Sequence, residues 1–149
     1  GKRGGVAHTF SHLYVNNRFK DNRINLRHQI GSGAATPAGL AAFNLLGRDN
    51  TFEGAVETGL QFNLRVAEGA GAVLGGYVFE RNEFADMPLA VDFNLKNQSR
   101  GKAEAPRNVG AVHGVHFQQN RYDGQTLQRP GAVRMNAPMQ VHFGPKTRP

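Results

Sequence analysis

The chain has 149 residues, room for one hydrophobic core but short for two independent ones. It contains no cysteine, which excludes a disulfide framework, a thiolate metal site and a cysteine nucleophile, and no apolar run reaches the ~18–20 residues of a membrane-crossing helix. The formal net charge of +7 favours anionic partners, yet the basic residues are dispersed without a basic run or helix, so charge alone names no partner.

Residues 1–7, GKRGGVA, are small and basic, a composition that predicts a flexible arm. Strand-like alternation follows over 8–15 and 22–30, where Ile24, Leu26, His28 and Ile30 alternate with Arg23, Asn25, Arg27 and Gln29. The polar run from Asn16 to Asp21 between them reads as the turn of a hairpin. Thr36 then stands where it would cap a helix over 37–46 opened by Pro37, with Gly47 as terminator and Leu40, Phe43 and Leu46 on one face.

The strongest β pattern is 52–66, in which Leu60, Phe62, Leu64 and Val66 oppose Gln61, Asn63 and Arg65. Glu68 to Gly71 turns the chain, and 72–80 returns antiparallel with Tyr77 and Phe79 on one face. After a polar loop at 81–86, Leu89, Val91, Phe93 and Leu95 mark the next strand. A loop at 99–108 leads to strands over 109–118, 121–128 and 133–143, the last interrupted at Pro138. The nineteen glycines include Gly59, Gly76 and Gly114 inside strands, where they suit bulges and strong coiling. The expected fold is all-β: a single antiparallel β-barrel of about eight strands with one short helix, occupying residues 8–149 after the arm.

Reaction chemistry has little to stand on. His113 and His116 lie an odd number apart in one strand, so without a bulge they face opposite ways; His8 and His12 share a face but lack further ligands. Glu53 and Glu57 have no surrounding polar cluster, and no serine sits in a nucleophile elbow. The expectation is a non-enzymatic protein with no cofactor and no metal. Phe117 to Tyr122 interleaves aromatic and basic residues, a combination that can stack bases and hold phosphate, although nucleic acid is not the favoured partner. A haem or lipid carrier would use the barrel interior.

From residue 52 to 146 the order of segments resembles the β-barrel domains of transferrin-binding protein B and related bacterial surface lipoproteins. The likeness is carried by Phe52-Glu53-Gly54, Leu89-Ala90-Val91-Asp92-Phe93, Lys96-Asn97-Gln98-Ser99-Arg100-Gly101, the run from Val115 to Gly124, and Val141-His142-Phe143-Gly144-Pro145-Lys146. The resemblance implies an extracellular or cell-surface module, associated with an outer membrane, that binds a host protein or an iron-bearing ligand through barrel-end loops. Contact residues expected on such loops are Phe84 and Met87, Arg107, and Arg121 with Tyr122, because aromatics and arginines anchor interfaces. The alternative is a virion or filament subunit assembling through the basic arm, so the expected state is a monomer or an assembly subunit.

Overall fold

The computed structural model describes residues 7–31, 40–66, 72–97, 111–127, 131–135 and 141–144. The chain winds in successive circuits. The first contains β1 (Ala7–Val15), β2 (Arg18–Lys20) and β3 (Ile24–Gly31), and the second β4 (Leu40–Arg48), β5 (Thr51–Glu53) and β6 (Thr58–Val66). The third contains β7 (Ala72–Glu80), β8 (Glu83–Ala85) and β9 (Val91–Asn97). The fourth contains β10 (Ala111–Gln118), β11 (Arg121–Tyr122), β12 (Gln125–Thr126) and β13 (Val133–Met135), and β14 (Val141–Phe143) opens a fifth.

Each strand except β12, which pairs with β11 of its own circuit, pairs with the equivalent strand one circuit away, giving three sheets: β1-β4-β7-β10-β14, β12-β11-β8-β5-β2 and β13-β9-β6-β3. All pairings are parallel except β11 with β12, which is antiparallel. This is a three-faced β-solenoid. It overturns the expected antiparallel barrel: the sheets are not closed, and β6 pairs with β3 and β9 rather than returning on β7. The physical reason is that period-two alternation fixes which face of a strand is buried but not which strand lies beside it. There is no helix among the described residues, and the expected helix is replaced from Leu40 onward by β4. Its start at Pro37, the loop holding Arg107, the Pro138 break and residues 1–6 of the basic arm lie outside the described residues.

Parallel stacking places like on like. Asn17, Asn50, Asn82 and Asn120, separated by 33, 32 and 38 residues, form a ladder at the corner between the first and second sheets. The Asn82 Oδ1 accepts from the Asn50 backbone N–H at 3.0 Å and from its Nδ2 at 2.9 Å. Asn82 Nδ2 in turn donates to Asn120 Oδ1 at 2.8 Å and to the Gly47 carbonyl at 2.9 Å. Every rung repeats this, so a buried polar residue is satisfied by its own kind one circuit on. The preceding position, Asn16, Asp49, Arg81 or Gln119, is left-handed in every circuit, with φ between 51° and 56°. That conformation is uncommon for arginine and glutamine, and the ladder beside it holds the corner.

Two residues beyond each ladder amide sits an aromatic: Phe19 stacks on Phe52 at 5.0 Å between ring centroids, Phe52 on Phe84 at 4.7 Å, and Tyr122 occupies the same register position on β11. The interior has two further columns, Phe62 on Phe93 at 4.8 Å and Phe79 on Phe117 at 5.0 Å. Gly47 ends the latter, since a Cβ there would lie 2.7 Å from the Phe79 ring. Such offset ring stacks add to the burial of the rings themselves.

A second left-handed column crosses the first sheet at Ser11, Asn44, Gly76 and Gly114, with φ of 57°, 59°, 67° and 61°. It is a bulge repeated on four strands, and the strand register skips it in each. The parity test applied to His113 and His116 assumed no such residue; Gly114 stands between them.

Candidate functional site

The third sheet turns a polar surface outward. Along β3, β6, β9 and β13 the inward positions are Leu26, Leu60, Val91 and Val133, then His28, Phe62, Phe93 and Met135. The row between them reads Arg27, Gln61, Asp92 and Arg134, polar or charged at every strand where the two inward columns are mostly apolar. Alternation alone puts this row outside.

The four are linked end to end. Arg27 Nε donates to Gln61 Oε1 at 2.8 Å, and Gln61 Nε2 donates to Asp92 Oδ2 at 3.0 Å. Arg134 closes on the same carboxylate with Nε to Oδ1 at 2.9 Å and Nη2 to Oδ2 at 2.8 Å. The Asp92 side chain is only 2 % exposed while that of Arg134 is 66 % exposed, so the guanidinium lids a buried charge. A buried carboxylate needs such pairing, and the two-pronged geometry is the strongest form available to arginine. The hydrogen bond to Asp92, helped by its negative charge, holds the Arg134 guanidinium protonated even more firmly than usual. With both oxygens engaged, Asp92 organises the row and is not a free base.

Above the row lies an open groove of about 540 Å³ that also takes in Arg23, Glu57, Asn63 and Asn94. Arg23 Nε donates to Glu57 Oε1 at 2.6 Å on the rim. Among the described residues the Nη atoms of Arg27 and Nη1 of Arg134 have no protein partner. Strands separated by about 4.8 Å put these two arginines about 14 Å apart, three spacings along the sheet. Each is held on one side and presents N–H donors on the other. Asn63 is 5 % exposed, and its Oδ1 lacks a hydrogen-bond partner among the described residues.

The residues expected from sequence to make contacts are dispersed. Phe84 is wholly buried in the middle of the aromatic stack, and Met87, 7 % exposed, belongs to the same core, so neither side chain is presented to a partner. Alternation had suggested a loop there, whereas β8 is a rung. Arg121 is exposed on β11 and donates to the Gly124 carbonyl at 2.6 Å. Tyr122 is half-buried and donates its hydroxyl to the Met87 carbonyl at 2.6 Å. Arg107 lies outside the described residues.

Glu53 and Glu57 are held apart by separate cations, Glu53 by Arg18 and Lys20 and Glu57 by Arg23. His12 meets His28 edge-on at 5.2 Å, a pairing between β1 and β3 of the first circuit that intrastrand spacing could not reveal. Among the described residues no three His, Asp or Glu side chains gather as metal ligands. Arg27, Gln61, Asp92 and Arg134 were not singled out from sequence; the signal for stacked circuits is the Asn-x-Phe/Tyr repeat at Asn17, Asn50, Asn82 and Asn120, from which the four lie at unequal distances.

Compared with protein-family models, curated proteins and solved structures, the chain matches none.

Proposed function

We propose that the chain is a non-enzymatic binding module that holds an extended polar ligand along the groove of its third sheet. The observation that carries this reading is the hydrogen-bonded row Arg27–Gln61–Asp92–Arg134, whose arginines are fixed from below and keep donors facing the groove. Preorganised donors on a rigid sheet lose little freedom on binding, which is where affinity is otherwise forfeited. Recognition along a flank replaces recognition through barrel-end loops.

The test is a screen of immobilised glycans and peptides with the wild type and two variants. Val56 is 72 % exposed on the groove rim, so Val56→Trp obstructs the groove without entering the core. Binding lost in Val56→Trp and kept in an Arg121→Ala, Tyr122→Ala pair supports the groove. The reverse pattern returns the site to the β11 bend and overturns it.

The assembly-subunit alternative has one observation in its favour: like-on-like columns run through successive circuits, the construction of a stiff rod. Large ordered oligomers in size-exclusion chromatography would favour it, and a monomer would favour the binding module.

A further inference from the structure

We infer that the ligand of this groove is an acidic polysaccharide, held by two of its carboxylate or sulfate groups on Arg27 and Arg134; the inference rests on the groove being the binding site. Three features select this chemistry. The two arginines stand on strands three spacings, about 14 Å, apart, so a ligand satisfying both carries more than one anion along an extended chain. A guanidinium edge matches a carboxylate or sulfate in a planar, two-bond contact that a neutral sugar cannot supply.

Between the arginines the lining is amide-rich, with Gln61, Asn63 and Asn94. Amides offer donors and acceptors together, the complement of sugar hydroxyls. Among the described residues the Oδ1 of Asn63 has no partner, and rotation of that amide presents it to a hydroxyl.

Nucleic acid is the competing polyanion, and the lining argues against it. Among the described residues no aromatic side chain lines the groove, whereas single strands are held by bases stacked on aromatic rings. The net charge of +7 draws any polyanion towards the molecule, so the groove has to be distinguished from general attraction.

Isothermal titration of the full chain would use polygalacturonate for carboxylate, heparin for sulfate, dextran as the neutral polymer and oligothymidylate for phosphate. The variant is Arg27→Gln, which leaves Gln61 bonded to Asp92 and is checked for an unchanged circular-dichroism spectrum. Arg121→Gln, exposed on the second sheet, is the charge-matched control. The expected result is saturable binding of polygalacturonate or heparin, weakened at least tenfold by Arg27→Gln and less than twofold by Arg121→Gln; which polymer binds tighter identifies the anion.

Equal loss in both variants reduces the binding to diffuse charge and overturns the inference. So does oligothymidylate binding as tightly as either acidic polymer. Dextran binding that Arg27→Gln weakens overturns the acidic ligand while leaving the groove standing. No binding of any polymer, or binding indifferent to Arg27→Gln and to Val56→Trp, overturns both.

Discussion

Replacing Asn82 by alanine should cost far more than replacing Asn17, though both belong to one ladder. Asn82 is 1 % exposed and its amide takes part in four hydrogen bonds, two accepted from Asn50 and two donated, to Asn120 and Gly47. Truncation strands the Asn50 backbone N–H and half the capacity of two neighbouring amides where water cannot reach. One buried orphan donor costs about 1–3 kcal/mol, so with the weakened neighbours the total is about 3–4 kcal/mol. Asn17 is exposed and donates to Asn50 Oδ1 and the Val15 carbonyl. Water can replace those bonds, and Asn17→Ala should cost less than about 1 kcal/mol. The chain has no tryptophan, so urea unfolding is followed by far-ultraviolet circular dichroism. An Asn82→Ala loss below about 1 kcal/mol, or equal losses in the two variants, would refute the ladder as a structural element.

Phe84→Ala opens the centre of the second-sheet stack and should cost about 3–5 kcal/mol in the same urea assay; a loss near 1 kcal/mol would mean the stack does not hold the coil together. At Gly59 a new Cβ would meet the Met87 sulfur and the Phe84 ring at 2.8 Å and the Ala90 carbonyl at 3.1 Å, so Gly59→Ala should destabilise by about 1–3 kcal/mol. An unchanged midpoint would show that these side chains yield freely. His28 occupies the register position before Phe62 and Phe93, and burial, with a smaller contribution from His12, pushes its pKa down to about 4. Because the unfolded chain binds the proton at higher pH, stability is complete above about pH 6.5 and is lost as pH falls towards 4, by at most about 3 kcal/mol and about 1–2 after solvent screening. His28→Phe should extend the ring column and flatten that loss, seen as a stability difference at pH 5 that is small at pH 7.5; parallel curves for the two proteins would exclude the imidazole.

The inward faces were legible. Leu60 with Phe62, Val91 with Phe93 and Tyr77 with Phe79 alternate in the sequence and are buried in the structure. Pairing was not legible from within a strand, because the partner of Phe62 lies a full circuit away at Phe93 and at His28. The false helix at 37–46 has a local cause: the three-residue spacing of Leu40, Phe43 and Leu46 imitates a helical face, whereas from Asn44 to Arg48 the chain alternates as a strand, with Leu45 and Gly47 buried. The groove escaped notice for the same reason as the pairing. Arg27, Gln61, Asp92 and Arg134 share no local motif and become neighbours only when the circuits stack.

The asparagine corner makes the molecule extensible. Each amide presents to the circuit above the same atoms that it draws on from the circuit below. A duplicated segment carrying one such residue would find both neighbours already compatible, so length can grow by whole increments without inventing a new contact. Variation is thereby freed for the outward rows, where arginine, glutamine and aspartate take the same register position on successive circuits while the corner amide does not change.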